Sequence, residues 1–280
     1  MNASKQSLSN ERLYYRHSLP VRVTHWIVAI SLPILLMSGL NIFNADPELY
    51  WGKSSYTGAP PLLELKSKIN DRGKLVGVTG ILGNEFNTTG FLGVSITSGG
   101  EPGSRGFPSW LTLPGDQWLS MARRWHLFFA WILVVTGICF VSYTIFSRHL
   151  KRDLLPSRQD WHSMGKTLKD HLLLRHASGE DARNYNILQK LAYLSVIFLL
   201  LPLVIINGFG MSPGLDALIP GWIDLFGGRQ SMRTLHFLVS WALVSFVGIH
   251  LFQVIITGFW NNLRSMFTGY YRTTSETEHE

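Results

Sequence analysis

Four stretches of this chain are apolar, carry no Asp, Glu, Lys or Arg, and are long enough to cross a lipid bilayer. They are Val23–Phe43, Trp125–Phe146, Leu191–Gly210 and Leu235–Phe259. About 20 apolar residues in a helix span the hydrocarbon core, whereas a soluble helix with one wet face carries several charges. Pro33 and Pro202 fall inside two of the stretches, which membrane helices tolerate because neighbouring groups satisfy the freed carbonyls. Only 15% of the residues are charged, against about 25% in a soluble domain. The expected fold class is all-α, an integral membrane protein built as a four-transmembrane-helix bundle. A disordered chain is excluded. Arg12, Arg16 and Arg22 precede the first stretch as they would a signal peptide, but its apolar run is long and no A-x-A cleavage pattern follows.

The connections set the orientation. Residues 147–190 hold nine Lys or Arg, and with the N-terminal segment and the tail the total on that side is fifteen. The other side holds ten, eight of them spread through the long 44–124 connection, and long loops count little in the positive-inside rule. The net charge of +7 therefore reads as membrane topology, with no nucleic-acid partner. The expected order is a cytoplasmic segment (1–22), span 1 (23–43), a Gly-rich periplasmic connection (44–124), span 2 (125–146) and a basic cytoplasmic loop (147–190). Span 3 (191–210), a short periplasmic connection (211–234), span 4 (235–259) and a cytoplasmic tail (260–280) follow. This places the protein in a bacterial inner membrane with both termini cytoplasmic. The 44–124 connection holds thirteen of the 26 glycines and neither His nor Cys, so it is no ordinary metal domain. A connection of that length is functional or a docking surface. The Asn-x-Thr at Asn87 is a weak glycosylation signal. No internal repeat is evident.

Of ten histidines, four lie in or at the ends of apolar spans: His25, His126, His236 and His250. An ionisable group at membrane depth marks function. The spans offer no carboxylates and only one cysteine, Cys139, which argues against proton relays, zinc, di-iron and iron–sulfur chemistry. Neutral imidazoles without anionic partners suit axial ligation of haem iron. His236 and His250 are fourteen residues apart, about 1400° of helix and about 40° short of four turns, so both leave one face with a rise of about 21 Å. With both termini inside, His126 and His236 share the outer level and His25 and His250 the inner. Two bis-His sites for two b haems result, with span 3 contributing none. Gly39, fourteen residues after His25, and Gly137, eleven after His126, would let a porphyrin approach their helices. A packing role for any single membrane histidine is the plainer alternative.

The sequences R-H-S-L-P-V-R-V-T-H-W (Arg16–Trp26), R-R-W-H (Arg123–His126), Y-N-I-L-Q-K-L-A-Y (Tyr185–Tyr193), G-G-R-Q-S-M-R-T-L-H (Gly227–His236) and F-W-N-N-L-R-S-M (Phe259–Met266) resemble the bacterial cytochrome b561 and nickel–iron hydrogenase cytochrome b superfamily. Within it, the chain looks most like thiosulfate-reductase-type cytochrome b subunits. The resemblance covers all four spans and is weakest over 44–110. It implies a membrane anchor with two b haems on His25, His126, His236 and His250, passing electrons between the quinone pool and a redox partner. That partner would be a periplasmic molybdopterin oxidoreductase or a cytochrome. The chain then is an electron-transfer subunit that oxidises or reduces quinone and is not catalytic alone.

Anionic haem propionates would pair with arginine forks: Arg123, Arg124 and Arg233 at the outer haem, Arg22 at the inner. Interfacial anchoring beside Trp is the alternative. Quinone beside the inner haem would draw on Asn261, Asn262, Trp260, Gln253, Lys190 and Tyr193. His17 is expected at the interface, and His149, His162, His171 and His176 in solvent. His279 belongs to the acidic tail Glu276–Glu280, expected to be disordered. Two rivals remain, a self-contained membrane haem oxidoreductase and a non-redox membrane protein with packing histidines. Purified protein should show a strong reduced-minus-oxidised b-type spectrum; a colourless preparation would favour the second rival.

Overall fold

The computed structural model describes residues 11–55, 58, 60–173 and 186–274. Tyr185, His176, His279 and the acidic tail lie outside the described residues. Four helices are long and apolar enough to cross a membrane: α1 (Leu19–Phe43), α2 (Leu119–Phe146), a third over Ile187–Gly210, and α7 (Arg229–Ile256). Each starts four to six residues before its apolar stretch. The added turns hold Arg22, Arg123, Arg124, Lys190, Arg229 and Arg233. Arg and Lys are good helix formers and reach for water from a helix end, so the helix begins before the hydropathy does. Along these helices Phe128, Trp131, Ile138, Leu199, Leu238, Ile249 and Phe252 are exposed, as residues facing lipid tails would be.

The third helix is composite: α4 (Ile187–Ser195), a π-helical turn over Val196–Leu200, then α5 (Leu201–Gly210) with Pro202 in its first turn. Proline lacks an N–H and crowds the carbonyl four residues back, so the wider turn sits where the ladder is broken. Asn186 and Gln189 form a reciprocal capping box at the start of α4.

The chain divides into two compact units. The first comprises 1–26, 137–199 and 244–280. In it β1 (Glu11–Tyr15) pairs antiparallel with β8 (Tyr270–Thr274), with Tyr14 opposite Tyr271 and Tyr15 opposite Tyr270. Both tyrosine pairs are in ring contact, at 5.6 and 5.3 Å, and the Arg16 guanidinium lies 4.7 Å from the Tyr271 ring centre. α7 stops at Ile256 because Gly258 turns left-handed (φ +106°) and starts α8 (Phe259–Thr268). Gly269 (φ +88°) ends α8 and accepts the Arg16 N–H at 2.8 Å; a Cβ there would sit 2.7 Å from the Tyr15 ring. Trp26 stacks on Phe267 and donates its indole N–H to the Met266 carbonyl, while Arg22 donates to the carbonyl of Phe267. α3 (Arg158–Leu172) is tied to α4 by the Asp160–Lys190 ion pair at 2.8 Å.

The second unit comprises 27–136 and 200–243. The 44–124 connection, for which an all-α reading offers nothing, folds here into strands. β2 (Glu48–Leu49), β3 (Leu63–Ile69), β4 (Leu75–Ile81) and β5 (Asn84–Asn87) form an antiparallel sheet in that order, and β6 (Gly93–Ile96) pairs with β7 (Pro102–Arg105). Leu49, Leu65 and Phe107 pack on Leu40 and Phe43 of α1. Asn44 clamps the Phe107 backbone through both amide atoms, and Asn41 donates to the carbonyls of Pro114 and Asp116. Arg105 is buried, and its guanidinium donates to the carbonyls of Phe107 and Gly115 and to the Thr112 hydroxyl. The glycines follow from this packing: a Cβ on Gly77 would lie 2.1 Å from the Leu92 carbonyl oxygen. Gly77→Val is expected to cost about 1–3 kcal/mol by overpacking, read as a lower Tm and faster proteolysis within 44–124.

Candidate functional site

Each unit contains one pair of facing imidazoles. In the second unit the rings of His126 (α2) and His236 (α7) have centres 6.1 Å apart at an interplanar angle of 66°. In the first unit His25 (α1) and His250 (α7) are 6.3 Å apart at 61°. Two metal–imidazole bonds of about 2 Å each, set in line between two rings, separate the ring centres by about 6 Å. Among the described residues no group of three or more His, Cys, Asp or Glu could hold a metal ion. Each pair thus offers two nitrogens and nothing more, which suits a metal that brings its own equatorial ligands.

The protonation of the His126–His236 pair follows from its neighbours. His126 Nδ1 lies 3.1 Å from the Leu35 carbonyl oxygen, and His236 Nδ1 lies 2.8 Å from that of Val204. A carbonyl only accepts, so in both rings Nδ1 carries the proton and Nε2 keeps its lone pair, the tautomer of a metal ligand. Ser38 Oγ stands 3.2 Å from His126 Nδ1. Since Ser38 donates its own proton to the Ile34 carbonyl, it accepts a share of the imidazole N–H. Gly39, expected to let a porphyrin approach its helix, lies against the His126 ring: a Cβ there would be 3.3 Å from His126 Cε1. Gly208 does the same for His236, at 3.4 Å. Sequence reasoning missed Gly208, and the third helix, which was given no part, supplies both it and the Val204 carbonyl.

The His25–His250 pair is held differently. His25 Nδ1 is buried without a partner, and His250 stacks on Phe246 with ring centres 5.9 Å apart at 15°. Gly137 has no atom within 4 Å of the Cβ position, so that stretch of α2 stays open.

The other expected residues are accounted for as follows. Arg233 is bound to the carboxylate and carbonyl of Asp46, and Arg22 to the Phe267 carbonyl; Arg123 and Arg124 are exposed in the first turns of α2. Asn261 uses both amide atoms on the Arg272 backbone, and Asn262 donates to Thr257 Oγ1 and the Gly258 carbonyl, so both brace the corner around α8. Lys190 is paired with Asp160, Trp260 is 78% exposed, and Gln253 and Tyr193 are half-buried. His17 is half-buried; burial first, then the neighbouring Arg16, pushes it down to about 4. His162 is exposed, as expected. His149 is not solvated: its Nδ1 bonds Asp153 Oδ2 at 2.6 Å and its side chain is 18% exposed. The left-handed Arg148 (φ +58°) folds the chain back into a π-helical turn at Leu150–Leu154, and that brings Asp153 under His149.

A sequence model of prokaryotic cytochrome b561 matches residues 16–269. The chain belongs to the prokaryotic cytochrome b561 family. It is a membrane cytochrome that binds b haem. The protein is 26% identical over 249 residues to a putative protein-methionine-sulfoxide reductase subunit, YedZ1, of Azospira oryzae, covering 88% of this cytochrome and 93% of that protein. No solved structure matches the chain. The donor set fits haem: paired imidazoles at iron-spanning separation, His126 and His236 in the ligating tautomer and cradled on glycine.

A side chain at either cradle glycine would push the imidazole off its carbonyl. Gly39→Leu and Gly208→Leu are expected to weaken haem retention roughly 10- to 100-fold, the usual effect of losing a partner behind a ligand. Gly165→Leu, on α3 with nothing within 4 Å of its Cβ position, is the control. Haem content per chain after detergent washing is the measurement.

Proposed function

We propose that this cytochrome carries two b haems and moves electrons across the membrane between the quinone pool and a partner redox subunit. The observation that carries the reading is the pair of imidazole couples, each about 6 Å across. His126 and His236 would hold the outer haem, His25 and His250 the inner. Bound haem iron supplies reversible one-electron transfer.

The residues around the outer pair hold its geometry. The Leu35 and Val204 carbonyls keep the proton on Nδ1 and so leave the Nε2 lone pair with which each ring would hold the iron. Gly39 and Gly208 let the rings reach those carbonyls. Arg123, Arg124, Arg233 and Arg22, two or three residues before the histidines in the chain, would be partners for propionate, Arg233 by exchanging its bond to Asp46. The inner site would serve quinone, with Lys190, Tyr193, Gln253, Trp260, Asn261 and Asn262 as the polar groups near that end of the helices. Asn261 and Asn262 would act through the corner they brace rather than by direct contact.

The distribution of Lys and Arg supports cytoplasmic termini in a bacterial inner membrane. The partner would then sit on the periplasmic side against the 44–124 strands. The relative's name as a reductase subunit supports a reductase partner, and we take it to be a periplasmic molybdopterin oxidoreductase. The cytochrome would be its electron-transfer subunit.

Purified wild-type protein should contain two b haems per chain by pyridine haemochrome assay. His236→Leu and His126→Leu should each leave one, and His25→Leu should remove the other. Retention of two haems in any of these variants would overturn the ligand assignment.

A further inference from the structure

The two cradles of the outer site are copies of one another. Pro33–Gly39 reads P-I-L-L-M-S-G and Pro202–Gly208 reads P-L-V-I-I-N-G. In both, the third residue presents its carbonyl to an imidazole Nδ1 and the seventh is the glycine beneath the ring. The spacing has a physical reason. A helical carbonyl points at the residue four places on, so a glycine there leaves the oxygen reachable from the side. The helices that follow repeat too: R-R-W-H-L-F-F-A-W-I-L-V at Arg123–Val134 and R-T-L-H-F-L-V-S-W-A-L-V at Arg233–Val244. Arg stands three before the histidine, Trp five after, and Leu-Val seven and eight after. Burial repeats as well. Ala122 and Met232, four before the histidines, are 0% exposed, and Leu133 and Leu243 are 4% and 6% exposed. The sequence conceals this repeat because 44–124 separates the halves of the first copy.

One equivalent position differs in chemistry. The residue before the glycine is Ser38 in the first copy and Asn207 in the second. Ser38 is fully buried and accepts from His126 Nδ1. Asn207 is 1% exposed, and neither its amide nitrogen nor its amide oxygen has a partner. A buried amide left unpaired is costly. Asn207 also lies on the Val204–Gly208 face of α5, at i+3 from the carbonyl that His236 uses.

We infer that Asn207 is a positioning residue of the outer haem site. Unpaired in the structure, its side-chain oxygen turns in the haem-loaded protein to take a share of the His236 Nδ1–H, from the position at which Ser38 Oγ meets His126 Nδ1. It thereby raises the electron donation of the imidazole and lowers the potential of that haem relative to a site without it. The inference rests on the outer pair being axial ligands.

The test is a redox titration of purified cytochrome that resolves both haems, with low-spin electron paramagnetic resonance. Asn207→Leu should keep both haems, shift one midpoint upward and change the axial signature of that haem only. Asn207→Ser, which writes the first copy into the second, should return both readings towards wild type. Should Leu prove too large, Asn207→Ala carries the same comparison. Wild-type potentials in Asn207→Leu and Asn207→Ala, equal shifts of both haems, or an Asn207→Ser variant as altered as Asn207→Leu would each overturn the inference. A wild-type protein without two b haems would overturn the functional reading itself, a result visible before any variant is made.

Discussion

The hydrogen bond from an imidazole Nδ1 to a helix carbonyl is what the His126–His236 pair depends on. Without it a membrane histidine is free to adopt either tautomer and to turn its ring. With it, the proton is fixed on the far nitrogen and the ring is anchored to a neighbouring helix. The bond has a steric condition, met at Gly39 and Gly208, and it requires that α1 and α5 pass close to His126 and His236. Helices that carry neither histidine of this pair therefore matter as much as those that do. The His25–His250 pair follows no such scheme. His25 Nδ1 has no acceptor, and the two sites differ in how firmly the protein dictates imidazole character.

Much of the architecture could be read before any coordinates. Four charge-free stretches admit only one use of their backbone in lipid, and the helical period places His236 and His250 on one face. Composition set the helix starts too late, because Arg22 or Arg233 ends an apolar run without ending a helix. The strands of 44–124 were invisible for another reason. Gly77 and Gly80 interrupt β4, and hydrophobic alternation fails where a side chain would strike a neighbouring strand. His149 was misplaced because its partner Asp153 is reached only through the left-handed turn at Arg148.

The paired histidines were legible in the sequence and their supports were not. An imidazole announces itself at membrane depth, whereas a backbone carbonyl has no letter of its own. Gly208 carried the same signal as Gly39 but was hidden by the absence of histidine from its helix. Only the recurrence of proline, carbonyl and glycine at fixed spacing, aligned with a second recurrence around the histidine, turns these residues into a pattern.

The pairing of β1 with β8 bears on how the cytochrome is made. Tyr14 and Tyr15 emerge from the ribosome early, but their partners Tyr271 and Tyr270 are translated after all four apolar helices. The strand that opens the chain must wait, unpaired, through the whole of membrane insertion. Closure of the unit holding His25 and His250 thereby follows the synthesis of every apolar helix, and a chain not yet extended through β8 carries β1 as an open strand edge.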